Sequence, residues 1–86
     1  MTFFIEYDKS VQHFLEKVNK GIAKRIIDKI EFLLLNDPVP HTAKSIVGEK
    51  GVFRLRIGDY RALYRIDYVK NKIIIFHLDK RSNVYK

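Results

Sequence analysis

Four arginines, Arg54, Arg56, Arg61 and Arg65, punctuate the apolar stretch VFRLRIGDYRALYRI at residues 52–66, and a single acid, Asp59, accompanies them there. A guanidinium grips phosphate oxygens through a planar fork of donors and keeps its charge at physiological pH. Two residues apart on a strand, Arg54 and Arg56 fall on one face at roughly 7 Å, because each residue rises ~3.3 Å. That is about the separation of neighbouring phosphates on one nucleic-acid strand. A turn at Gly58–Asp59 returns Arg61 and Arg65 to the same face, provided the hairpin register is right. Four guanidiniums without matching carboxylates repel one another. The chemistry that repays this cost is the binding of a polyanion. Arginines snorkelling at a sheet edge are the purely structural alternative.

The charge of the whole chain points the same way. Of the 86 residues, 17 are Lys or Arg and 10 are Asp or Glu, for a net charge of +7. Residues 1–53 carry a net +1 and residues 54–86 a net +6. A localised positive field of this kind attracts polyanions, nucleic acid above all, or an acidic protein partner. The tail DKRSNVYK (79–86) adds Lys80, Arg81, Tyr85 and Lys86. Tyr85 is suited to stacking on a base or to hydrogen bonding, and equally to pinning the tail to the body.

Other chemistries find little support. His13, His41 and His77 are far apart in sequence and lack metal-ligand spacing. His13 falls on or near the polar side of a helix and His41 in a loop. His77 faces opposite to Phe76 and Leu78, towards the arginines, where a general-base role is open to it. The acids are scattered and offer no two-metal site. Glycine-rich phosphate loops and nucleophilic serine motifs are absent from the sequence. No metal or cofactor is expected.

The elements that position these residues follow from periodicity. TFFIEY (2–7) reads as a strand. Asp8 or Ser10 caps a helix in which Val11, Phe14, Leu15 and Val18 make one apolar face. After NKG (19–21) a second helix, about 21–36, carries the stripe Ile22, Ala23, Ile26, Ile27, Ile30, Leu33 and Leu34. Pro38 and Pro40 stop it. Residues 41–51 read as a loop. Then the period drops to two: strands at 52–57, 60–68 and 73–78, with turns at Gly58–Asp59 and at VKNK. The expected fold is α+β, in the order β-α-α-β-β-β. A helical hairpin covers one face of a mainly antiparallel sheet and leaves the opposite, basic face open. The strand at 73–78 ends near Tyr60 and Arg61, which brings the tail towards the arginines.

Length and composition agree with one domain over residues 1–86. Hydrophobic residues make up 47%, enough for a modest core. There is no cysteine, hence no disulfide or thiolate metal site. No apolar run approaches the roughly 20 residues of a membrane span, and MTFFIEYDKS lacks the basic leader and apolar block of a signal peptide. A cytoplasmic protein without membrane association is expected.

An N-terminal strand, a helical hairpin, FRLRIGDYRALYRI and a final KRSNVY together resemble the RelE/ParE toxin superfamily, and its RelE branch in particular. The resemblance spans nearly the whole chain, and its most specific parts are GDYRALY (58–64) and KRSNVY (80–85). It implies a toxin of a type II toxin–antitoxin pair that enters the ribosomal A site and cuts mRNA there. The 2′-hydroxyl attacks the neighbouring phosphate without metal and leaves a 2′,3′-cyclic end. It implies catalytic roles for Arg54, Arg56, Arg61, Arg81 and Tyr85, with Arg65, Lys80 and Lys86 as further nucleic-acid contacts. Arg54, Arg56 and Arg61 would hold the scissile phosphate, Arg81 would support the phosphorane or the departing oxygen, and Tyr85 would orient the nucleotide or accept a proton. Arg54 and Arg56 stand where the family often has lysines, and arginine cannot serve as a base. Proton transfer would then fall to Tyr85 or to a ribosomal group. The implied partners are a RelB-like antitoxin, the ribosome with its rRNA, and mRNA; the toxin is a hetero-oligomer with its antitoxin and a monomer when free. A ParE-like gyrase poison and a non-catalytic nucleic-acid-binding homologue share the same pattern.

Overall fold

Asp8 starts the first helix. Its carboxylate accepts from the Val11 N–H at 3.1 Å, which satisfies one of the donors that a helix start leaves orphaned. In the computed structural model, which describes residues 3–80, the elements are β1 (Phe4–Tyr7), α1 (Lys9–Lys17), α2 (Lys20–Leu34), β2 (Lys44–Ile46), β3 (Glu49–Ile57), β4 (Tyr60–Asp67) and β5 (Lys72–Lys80). Asn19 caps α2 by accepting from the Gly21 N–H at 2.7 Å. Val18 and Asn19 are thus the whole link between the helices, too short to do anything but fold α2 back beside α1.

The strands form one five-stranded sheet in the order β1-β5-β4-β3-β2. β2, β3, β4 and β5 pair antiparallel in succession, and β1 adds to the free edge of β5 in parallel. The helices cover one face. Val11, Ile26, Ile30 and Leu34 from the helices pack with Leu55, Ile57, Ala62, Tyr64, Ile73, Ile75 and Leu78 from the sheet, all buried. Each such aliphatic side chain contributes roughly 1.5–3 kcal/mol by leaving water. Tyr64 is fully buried and donates its hydroxyl to the Pro38 carbonyl at 2.8 Å. Its ring stacks on Phe53 with centroids 5.6 Å apart. The hydrogen bond to Pro38 ties the segment after α2 to the centre of the sheet.

The order of elements, the helical cover and the two long hairpins match the expectation from periodicity, and three details differ. Residues 41–51 are not a plain loop. β2 pairs with an extended β3, Lys44 opposite Arg54 and Ser45 opposite Phe53. Gly48 and Gly51, which read as loop punctuation, adopt φ of 83° and 77°, the left-handed region that other residues avoid. They make a hairpin turn and a register shift inside a strand pair. The third long strand also runs to Lys80 rather than stopping at 78, so Asp79 and Lys80 belong to the sheet and not to a tail. Finally, α2 ends at Leu34, with Leu35 as its cap. No helix among the described residues is long and apolar enough to cross a membrane.

Tyr64→Phe removes the donor to Pro38 and leaves that carbonyl unpaired. A loss of about 1 kcal/mol is expected, read as a lower urea midpoint at unchanged slope. Burial, with smaller effects from Asp37 and Tyr68, holds the Tyr64 phenol well above its ordinary pKa. Burial and Glu31 push Tyr7 up to about 12. Both groups keep protons in the fold that the unfolded chain releases, so they withdraw stability as pH rises through ~10. Alkaline unfolding should therefore set in at higher pH in Tyr64→Phe than its lower stability at neutral pH alone would give; an onset shifted only by that loss would count against this account.

Candidate functional site

On β3, the residues alternating with buried Leu55 and Ile57 are Arg54 and Arg56, both exposed. The hairpin to β4 turns at Gly58, whose φ of 57° suits the tight connection, and sets Arg56 directly opposite Arg61 and Arg54 opposite Leu63. β2 places Lys44 on the other side of Arg54. Two like-charged cross-strand pairs, Lys44–Arg54 and Arg56–Arg61, thus sit on the face away from the helices. Like charges directly opposite each other destabilise a sheet. Lys44 was not anticipated from the sequence, because its strand read as a loop.

β5 supplies what the arginine stretch lacks. Asp79 stands opposite Arg61 and accepts from Arg61 Nη2 on its Oδ2 at 3.1 Å. The same oxygen lies 3.0 Å from His77 Nε2. The four guanidiniums are therefore not all without a carboxylate: Arg61 has Asp79, a residue that counted as tail. The signal was a two-residue spacing, His77-x-Asp79, which puts both side chains on one face of a strand if the strand extends far enough. Among the described residues, no ion pair reaches Arg54 or Arg56. Burial raises the Asp79 pKa, but hydrogen bonds from His77 and Arg61 more than offset this and hold the carboxyl below its ordinary value. The Arg61 Nε and Asp79 Oδ1 are buried without a hydrogen-bond partner among the described residues.

A β-bulge explains why His77 is here. β5 buries Ile73 and Ile75 and then Leu78, which strict alternation forbids. Leu63 pairs with His77 and Tyr64 with Ile75, so Phe76 is an extra residue without a partner. Continued from Ile75, the period would have sent His77 into the core. The bulge turns it outward and brings out Phe76 as well, against the expected opposition of the two. The Phe76 ring lies under the Arg65 guanidinium, 5.6 Å from its centre, a cation–π contact that gives Arg65 a partner within the sheet. Lys80 pairs with Tyr60 and shares the parity of Leu78, which places it at the end of β5 on the helix-side face rather than among the arginines. Arg81, Tyr85 and Lys86 lie outside the described residues.

The arrangement thus gathers Arg54, Arg56, Arg61 and Lys44 around an apolar floor at Leu63, with His77 and Asp79 along one side. It can hold a phosphodiester and offers one titratable ring beside it. Replacing Asp79 with Asn leaves the half-buried Arg61 guanidinium, 21% exposed, without its counter-charge, at an expected cost of about 1–2 kcal/mol near neutral pH. The sign follows from the lowered carboxyl pKa. The stabilisation is present above about pH 4 and disappears as pH falls through the folded-state value. Unfolding midpoints of wild type and Asp79→Asn measured from pH 7 downward should converge in acid; a constant gap would contradict the assignment.

Comparison with known proteins agrees with this fold. Residues 5–85 match the family described as ParE toxin of type II toxin–antitoxin system, parDE. A curated relative from Methanocaldococcus jannaschii that carries the toxin name RelE1 is 32% identical over 100% of this chain and 98% of its own length. Toxin RelG of Mycobacterium tuberculosis is 26% identical over 100% of this chain and 99% of its own. Among solved structures, the archaeal RelE–RelB complex from Pyrococcus horikoshii OT3 aligns with a TM-score of 0.79 at 26% identity, covering 98% of this chain and 100% of that one. The toxin–antitoxin complex RelBE2 of M. tuberculosis gives the same TM-score of 0.79 and 26% identity over 94% of this chain and 100% of that one. The match runs from β1 through the arginine hairpin and beyond β5, and by it this chain belongs to the RelE/ParE superfamily of toxins from type II toxin–antitoxin systems.

Proposed function

We propose that this toxin is a ribosome-dependent endoribonuclease that cuts mRNA in the ribosomal A site and so stops translation. The observation that carries this reading is the open face itself: two like-charged cross-strand pairs kept side by side, with one shared carboxylate as counterweight. A sheet accepts that repulsion where a polyanion neutralises it. In the proposed reaction Arg54, Arg56 and Arg61 hold the scissile phosphate and stabilise the charge on its oxygens as the 2′-hydroxyl attacks. Arg65 and Lys86 contact flanking RNA, whereas Lys80, on the helix-side face at the end of β5, is no part of that contact. Arg81 supports the phosphorane or the departing oxygen, and Tyr85 stacks on or orients the nucleotide. Guanidiniums supply the positive charge, so the chemistry needs no metal.

A RelB-like antitoxin is the proposed antidote, by analogy with the RelE–RelB and RelBE2 complexes. An acidic or amphipathic segment of it would cover the basic face. The pair is then a hetero-oligomer and the free toxin a monomer, acting in the cytoplasm. The ParE description of the matching family favours a second reading, poisoning of DNA gyrase, which requires no catalytic set.

Expression of the toxin should halt translation and leave cuts at A-site codons while plasmid supercoiling stays normal. DNA damage with intact mRNA would select gyrase instead. The double substitution Arg54→Ala, Arg56→Ala should lower cleavage on programmed ribosomes by roughly 100-fold or more. It should also reduce the salt dependence of RNA binding by about two counter-ions, one for each lost phosphate contact. Unchanged cleavage would remove these residues from the site.

A further inference from the structure

We propose that His77 is the general base of this face, its Nδ1 taking the proton of the attacking 2′-hydroxyl, and that Asp79 is the residue that positions it. The inference rests on the ribonuclease reading above and gives to a described residue the proton transfer that the family resemblance leaves to Tyr85 or a ribosomal group. Arginine cannot remove a proton near neutral pH. Of the other described titratable groups, Lys44 faces Arg54 from β2, with β3 and β4 between it and Asp79 on β5, Asp59 sits in the β3–β4 turn, and the rest are engaged or lie away from the arginine cluster. Glu6 and Lys72 pair at 3.0 Å by the β1 edge, and Asp67 accepts from the Val69 and Lys70 N–H groups in the β4–β5 turn. His13 is on α1 and His41 follows α2. His77 is the one described imidazole on the arginine side.

Three features of its placement fit a base. The bulge at Phe76 lies immediately before His77 and reverses its facing, and bulges recur where a side chain must be re-aimed. Asp79 fixes the ring. An ionised carboxylate can only accept, so the nitrogen facing it, Nε2, carries the hydrogen, and a neutral imidazole then leaves Nδ1 as the free acceptor. His77 is 48% exposed, which leaves that second nitrogen room to meet a ligand. The third feature is coupling to the phosphate site. His77 Nε2 and Arg61 Nη2 lie 3.0 Å and 3.1 Å from the same Asp79 oxygen. The two nitrogens are therefore within about 6 Å of each other, and the imidazole and the guanidinium are held as neighbours on β5 and β4. One carboxylate sets the relative position of the base and a phosphate ligand.

The step balances without a further reagent beyond water. Nδ1 accepts the 2′-hydroxyl proton, the O2′–P bond forms and the P–O5′ bond breaks. In-line displacement puts the departing 5′-oxygen on the far side of phosphorus, where water supplies its proton. The products are a 2′,3′-cyclic phosphate and a 5′-hydroxyl, and the imidazolium returns its proton to solvent.

The test uses the whole toxin on ribosomes programmed with a defined A-site codon. His77→Ala should cut at least about 100-fold more slowly than wild type, in the range for loss of a general base, while binding the ribosome as before, and added imidazole should restore cleavage by about tenfold or more. A rate within about threefold of wild type, or a loss that imidazole does not restore, overturns the base. Absence of cleavage by wild type overturns the ribonuclease reading and the base together. The positioning role has its own readout, 15N chemical shifts of the His77 ring in the free toxin. These should report hydrogen on Nε2 in wild type and a mixture of tautomers in Asp79→Asn, whose kcat should fall. Hydrogen on Nδ1 in wild type, or an unaltered tautomer in Asp79→Asn, overturns it.

Discussion

The register of the β3–β4 hairpin is the constraint from which the site follows. It sets Leu55 opposite Ala62 and Ile57 opposite Tyr60 on the helix side, and in the same stroke Arg56 opposite Arg61 on the other. A slip of one residue would send Arg54 and Arg56 into the core and Leu55 and Ile57 into water. Burying even one unpaired guanidinium costs several kcal/mol, so the helical cover fixes the basic face as firmly as it fixes the apolar one. Scaffold and site are two readings of one alternation. No separate element is needed to gather the charges.

That economy leaves an electrostatic debt which β5 partly settles. Asp79 sits across from Arg61 at the inner end of the charge cluster and holds it by a direct hydrogen bond, while Arg54 and Arg56 stay free of ion pairs among the described residues. The arginines therefore differ in kind. Arg61 is half-buried and fixed, fit to set the position of a phosphate. Arg54 and Arg56 are exposed and without an ion pair among the described residues, fit to close on one. Arg65 leans on the Phe76 ring instead. Charge count alone treats the four as equivalent, and only their cross-strand partners tell them apart.

Much of this was legible in the sequence because it depends on period. The helical stripe from Ile22 to Leu34, the Gly58–Asp59 turn and the facing of Arg54 and Arg56 all follow from counting. The features that counting missed are those where the period breaks. Gly48 and Gly51 punctuate a strand pair as readily as a loop, since a positive φ serves a hairpin turn and a bulge alike, and β2 with Lys44 was lost for that reason. The bulge at Phe76 leaves no mark in sequence, because a run such as IIIFHL fits either phase. An end to β5 at residue 78, which its apolar run suggests, detaches Asp79 from the sheet and hides its pairing with Arg61. The parallel placement of β1 beside β5 is set by tertiary packing, with Phe3 buried under the sheet edge, and no local signal encodes it.

The division of labour at such a face follows from what each side chain can exchange. Guanidiniums stabilise charge that appears on phosphate oxygens, yet they cannot move the proton whose removal creates the nucleophile. A lysine in place of Arg54 or Arg56 would combine both duties in one group; the arginines separate them. Once separated, proton transfer must come from a group close enough to the phosphate ligands to share its geometry with them. Asp79 provides that link, since His77 and Arg61 are both bonded to the same oxygen. Displacing that carboxylate would disturb the phosphate grip and the imidazole together. On this argument an acid inside a basic site is a spacer, and its place in the sheet matters more than its charge.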